Sequence, residues 1–158
     1  MSQVDGLDRG LIVVVCTANL CRSPMAEKVM RKLIEEWGVN FSVVSRGLHC
    51  VSGKPVHLHA GDLLVAKGHK DVDRLKSEKI SRSDMREADL VLVMERNQRA
   101  ELINLYPESS GKIWLLGHWI GREILDPYGR GKTEFTRTLS LIEEACASWC
   151  KPLKNLNG

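Results

Sequence analysis

Five consecutive apolar residues, Leu11-Ile12-Val13-Val14-Val15, run straight into Cys16, and a Ser23-Pro24 pair follows seven residues on. A β-branched run without alternation marks a strand buried on both faces. Ser suits a helix N-cap and Pro the first helical position. A strand buried on both faces needs cover on both, which commits the chain to a layered α/β fold. In such folds ligands sit at the carboxyl ends of the strands, where a loop enters a helix. The segment between Val15 and Pro24 is such a loop.

The remaining pattern repeats this unit. Ala26, Val29, Met30, Leu33 and Trp37 form one stripe on the first helix, and Gly38 closes it. A second strand is predicted from Phe41 to Ser45, and a helix over 55–66 ended by Gly68. Leu90-Val91-Leu92-Val93-Met94 is a third buried strand, with a helix over 96–105 stopped before Pro107. Ile113-Trp114-Leu115-Leu116 is a fourth. The last helix carries Phe135, Leu139, Ile142, Cys146 and Trp149 at three- and four-residue spacing. Alternating strands and helices predict a single α/β domain over 1–158: a four-stranded parallel sheet with helices on both faces and a phosphate-binding loop after the first strand. Residues 1–10 are expected to form a flexible N-terminal extension. A chain of 158 residues buries a full core without disulfides or a metal.

Composition narrows the function. The net charge of +3 is too small, and too evenly spread, for a nucleic-acid surface. Four Trp, two Tyr and two Phe are too few for a base-stacking platform. The apolar run ending at Cys16 is far short of a membrane span and follows Asp5 and Asp8 rather than a basic region, so neither membrane insertion nor export is expected. Five cysteines, an odd number, then argue for reduced thiols and a cytoplasmic setting.

The loop Cys16-Thr17-Ala18-Asn19-Leu20-Cys21-Arg22-Ser23 combines three chemical parts. Its backbone amides, with the positive end of the helix dipole, can converge on one anion. The same donors favour a thiolate at Cys16. Arg22 supplies a planar fork matched to two phosphate oxygens. Asn19 tolerates a left-handed backbone and shapes the loop. Ser23 has two uses, capping the helix or donating its hydroxyl to the thiolate. Sulfur attack on phosphorus also needs an acid for the leaving oxygen. Asp126-Pro127-Tyr128-Gly129, a turn after the fourth strand, places Asp126 at the same sheet edge. Loop amides and Arg22 fill the roles a metal would play, so no metal and no cofactor are expected.

Val15-Cys16-Thr17-Ala18-Asn19-Leu20-Cys21-Arg22-Ser23-Pro24 closely resembles the active-site signature of low-molecular-weight protein tyrosine phosphatases, and Asp126-Pro127-Tyr128 resembles that family's distal acid loop. The resemblance spans essentially the whole chain. It implies hydrolysis of phosphotyrosine and aryl phosphates through a phosphocysteine, with Cys16 as nucleophile, Arg22 as clamp and Asp126 as acid then base. It further implies Asn19 and Ser23 as loop supports, Ser45 bracing Asn19, and Leu48 and Tyr128 at the substrate entrance. A leucine at that entrance resembles bacterial members, whose partners are tyrosine autokinases of capsule or exopolysaccharide export. Ala18 stands where many members have Gly. The stretch Arg74-Leu75-Lys76-Ser77-Glu78-Lys79 departs from the family's customary segment, which removes the motif behind one brace of the loop.

The curled loop brings Cys16 and Cys21 within reach of each other, and the family often carries this second cysteine. A reversible, inactivating Cys16–Cys21 disulfide is therefore expected on oxidation. Two rival readings share parts of the motif. A thioredoxin-coupled arsenate reductase has this loop but needs two relay cysteines, and none lies between Cys50 and Cys146. A non-catalytic phosphotyrosine-binding module needs neither the thiol nor the distant Asp. The His57-x-His59 pair reads as two surface histidines on different helix faces.

Overall fold

The computed structural model describes residues 9–157, so the expected extension over 1–10 lies almost wholly outside the described residues. Four strands, β1 (Gly10–Cys16), β2 (Phe41–Gly47), β3 (Leu90–Val93) and β4 (Ile113–Leu115), form one parallel sheet in the order β2-β1-β3-β4. Parallel neighbours need crossover connections, and the helices supply them: α1 (Arg22–Trp37), α2 (Leu58–Ala66), α3 (Arg82–Glu87), α4 (Arg96–Leu105) and α5 (Lys132–Asn157).

Successive side chains of β1 point to opposite faces. Ile12, Val14 and Cys16 join a core built with Met25, Ala26, Met30 and Ile34 of α1 and Phe135, Leu139, Ile142, Cys146 and Trp149 of α5. Val13 and Val15 join the opposite core, with Met85 of α3, Leu102 of α4, Val91, Val93 and Ile113. Helices therefore cover both faces, and β1 and β3 are central, so their carboxyl ends sit mid-edge.

Three local expectations change. α1 begins at Arg22, two residues early, with Cys21 at its N-cap and no side-chain cap; Ser23 does not cap because its hydroxyl faces Cys16. The stripe on α1 stops at Ile34, since Trp37 is 44% exposed. α2 begins at Leu58 rather than at 55, because Pro55 pairs with Lys76 in an isolated bridge and His57 takes the N-cap. The short α3 was not foreseen, although Ser81 and Asp84 form a capping box at its start. Among the described residues no helix is long and apolar enough to cross a membrane.

Candidate active site

Cys16 ends β1 inside the sheet edge, 3% exposed. Its Sγ accepts the Asn19 amide at 3.3 Å and lies 3.0 Å from the Ser23 hydroxyl. Asn19 makes this turn by adopting φ 59°, the left-handed region that Asn tolerates. Ala18 stays outside that region, so a Gly is not required there. The Asn19 side chain is held at both ends: Nδ2 donates to Ser23 Oγ at 2.7 Å, and Oδ1 accepts the Glu78 amide at 2.9 Å. With Asn19 donating to it, the Ser23 hydroxyl keeps its own proton for Cys16 Sγ or for the Arg46 carbonyl, 3.3 Å away.

The departure over 74–79 thus leaves a brace intact, because a backbone amide supplies it and no particular side chain is needed. Gly47 lets β2 press against this turn, since a Cβ there would come within 3.0 Å of Asn19 Cβ and 2.8 Å of Cys50 Sγ. Ser45 does not brace Asn19; its hydroxyl donates to Glu27 at 2.7 Å, a carboxylate one helix away that outcompetes an amide. Thr17 is tied across the sheet by Gln98 Nε2 at 3.1 Å.

Arg22 is almost wholly buried, which a permanent cation tolerates only when paired. Its Nη1 donates to Glu95 Oε2 at 2.5 Å and to the Ile124 carbonyl at 2.8 Å. Nη2 lies 3.7 Å from Asp126 Oδ2. Nε and Nη2 carry no hydrogen bond to a described residue, which leaves both with donors to offer an anion in the loop. Glu95 was not singled out from the sequence. The signal was present, for Glu95 lies two residues past the end of β3, and β3 neighbours β1, so a carboxylate there is close to the loop.

A cavity of about 230 Å³ opens over the loop, lined by Cys16, Thr17, Ala18, Leu20, Cys21, Arg22, Asp126 and Tyr128. Asp126 is exposed at its rim and accepts the Tyr128 amide at 3.0 Å, a local turn that points the acid loop over the cavity. Tyr128 is 61% exposed. Leu48 does not line the cavity. Its amide donates to the Cys16 carbonyl at 2.9 Å, and its side chain is buried in the same apolar cluster as Val13, Val15 and Val93. The expectation of an entrance residue there is corrected, because the chain leaving β2 turns inward at that point. Cys21 also proves buried in the main core, and burial, with Asp126 and Cys16 nearby, pushes its thiol up to about 12. Among the described residues no three His, Cys, Asp or Glu are grouped to hold a metal ion.

The profile of a family described as low molecular weight phosphotyrosine protein phosphatase matches residues 11–157. The chain belongs to that family. A low molecular weight protein-tyrosine-phosphatase, Wzb of Salmonella typhimurium, is 35% identical over 149 residues, covering 93% of this chain and 96% of Wzb. Vibrio vulnificus Wzb in complex with benzylphosphonate superposes with a TM-score of 0.84 at 34% identity, covering 90% of this chain and 98% of that one. A YwlE arginine phosphatase mutant with a phosphorylated active-site serine has a TM-score of 0.86 at 28% identity, covering 91% of this chain and 95% of its own.

Proposed function

We propose that this chain is a protein tyrosine phosphatase that hydrolyses phosphotyrosine, and aryl phosphates generally, through a phosphocysteine on Cys16. One observation carries the reading: a buried Cys16 thiol hydrogen-bonded by the loop faces a cavity whose walls hold Arg22 and whose rim holds Asp126, with Nη2 and Oδ2 3.7 Å apart.

Cys16 attacks phosphorus in line with the phenolic oxygen. Donors from the Asn19 amide and the Ser23 hydroxyl support charge on its sulfur before attack. Nε and Nη2 of Arg22 take two equatorial oxygens of the planar phosphoryl group, with Nη1 already anchored on Glu95 and Ile124. Asp126 gives its proton to the leaving oxygen, then as carboxylate takes one from water, which attacks phosphorus and displaces the Cys16 thiolate, leaving free phosphate and Asp126 protonated again. A phosphorylated active-site serine in that mutant of the YwlE arginine phosphatase supports a covalent step.

Leu20 and Tyr128 give the cavity apolar and aromatic walls suited to a phenyl ring. Placement of the thiol at the cavity base favours the reach of phosphotyrosine over phosphoserine. Kinship with bacterial Wzb proteins supports a finer reading, in which the substrate is a tyrosine autokinase of capsule or exopolysaccharide export and the setting is the cytoplasm. Phosphotyrosine, phosphoserine and phosphoarginine peptides should be offered to wild type and Cys16→Ser. Turnover of phosphotyrosine alone, lost by orders of magnitude in Cys16→Ser, is the expected result. Equal turnover in Cys16→Ser would overturn the nucleophile, and preference for phosphoarginine would overturn the substrate.

A further inference from the structure

The His57-x-His59 pair does not sit on two faces of a helix. His57 is the N-cap of α2, with its Nδ1 accepting the His59 amide at 3.1 Å, and both rings turn toward α5. The His57 ring stacks on buried Phe135 of α5, centroids 4.6 Å apart and planes 24° from parallel. It also meets Tyr128 edge-on, with centroids 5.5 Å apart, and the His59 ring at 5.4 Å. The exposed wall of the catalytic cavity therefore rests on an imidazole that rests on the core. His57 also meets a second residue that lines the cavity, because its backbone amide donates to the Leu20 carbonyl at 2.9 Å.

We infer that His57 is a positioning residue for the aromatic ring of the substrate, acting through Tyr128. The inference rests on the proposed phosphotyrosine activity. The Tyr128 side chain is largely exposed, and a ring that swings freely must be ordered each time a substrate binds. The His57 face removes that freedom in advance. The phosphate cradle draws its donors from the loop and Arg22, and His57 meets that loop through its backbone amide, which a side-chain substitution keeps.

His57 combines a ring and a cap acceptor, and two variants separate them. His57→Asn keeps a capping side chain and loses the ring; His57→Phe keeps a flat ring between Phe135 and Tyr128 and loses the cap. For a phosphotyrosine peptide, His57→Asn should raise KM about three- to ten-fold, the scale of one aromatic pair, with kcat within about two-fold. The inhibition constant of inorganic phosphate should stay unchanged. His57→Phe should restore KM toward wild type while melting at a lower temperature. In a Tyr128→Ala background, His57→Asn should add no further rise. The inference is overturned if KM follows the cap rather than the ring, if phosphate affinity falls in step with KM, or if the effect persists without Tyr128. Wild type inactive on phosphotyrosine would overturn the proposed function and this inference together; active wild type with an unchanged His57→Asn KM overturns this inference alone.

Discussion

Replacing Glu95 by Ala removes the carboxylate that holds Arg22 Nη1 at 2.5 Å and leaves the 2.8 Å bond to the Ile124 carbonyl. A hydrogen bond to a charged partner contributes about 1.5–3 kcal/mol. Arg22 is 2% exposed but the Glu95 side chain is 24% exposed, so water screens part of the pair and about 2 kcal/mol is the reasonable share. At roughly 2–4 °C per kcal/mol for a domain of this size, the melting temperature should fall by about 4–8 °C. The kinetic consequence has a different origin. With Glu95 gone, Asp126 is the carboxylate left near Arg22, 3.7 Å from Nη2. The guanidinium then closes on Asp126, which turns the fork from phosphate and engages the acid. We expect kcat to fall about tenfold, or about 1.4 kcal/mol in the barrier, with a smaller change in KM. Glu95→Gln, which keeps an acceptor without the charge, should recover roughly half of both losses. Thermal melts and steady-state turnover of an aryl phosphate read the two effects separately. A Glu95→Ala protein that melts and turns over like wild type would refute the claim that this carboxylate sets the geometry of Arg22.

Arg22→Lys should lose at least ~100-fold in turnover, because a point charge lacks the two-pronged donor that fits the planar phosphoryl group; a loss of only a few-fold would contradict that role. Asp126→Ala should slow phosphotyrosine far more than an activated aryl phosphate, whose leaving oxygen hardly needs a proton, and equal losses would reduce Asp126 to a turn residue. Under mild peroxide, wild type should recover with thiol reductant through a Cys16–Cys21 disulfide, formed as the Cys16 sulfenic acid loses water to the Cys21 thiol, whereas Cys21→Ser should inactivate irreversibly; full recovery of that variant would remove the protective role. Burial and the neighbouring His59 hold His57 below its ordinary 6.5. Its folded form is therefore stabilised when neutral, a contribution complete above the unfolded value and lost as pH falls through the folded one. Melting temperature should drop more for wild type than for His57→Phe between about pH 7 and pH 5, and parallel curves would exclude His57 as the group responsible.

Features carried by neighbours in sequence were readable in advance, and features carried by distant partners were not. β1 and β3 were visible as unbroken apolar runs, and Asn19 as the residue able to take a left-handed turn. The Cys16-to-Arg22 spacing marked the loop because a strand and a helix start enclosed it. Ser23 had two local uses, and only its 3.0 Å approach to Cys16 Sγ distinguishes them. Leu48 and Ser45 were assigned by resemblance and displaced by contacts no motif encodes: a buried apolar cluster for one, Glu27 for the other. Glu95 lies 73 positions from Arg22, and Phe135 lies far along the chain from His57, so each pairing exists only once the sheet and α5 are assembled.

β1 is clamped from both sides. Seven of its residues pair with β2 and four with β3, all in one fixed register. A side chain's face alternates residue by residue, so Cys16 is oriented by counting from that register. Loss of one residue anywhere from Leu11 to Val15 would have to be absorbed in one of two ways. The strand could slip, carrying its alternate valines into the wrong cores, or the thiol could turn to the face occupied by Val15. Length is thus the quantity under constraint in this strand, more than identity: its aliphatic residues can exchange among themselves, while a single insertion would misdirect the nucleophile of an otherwise intact loop.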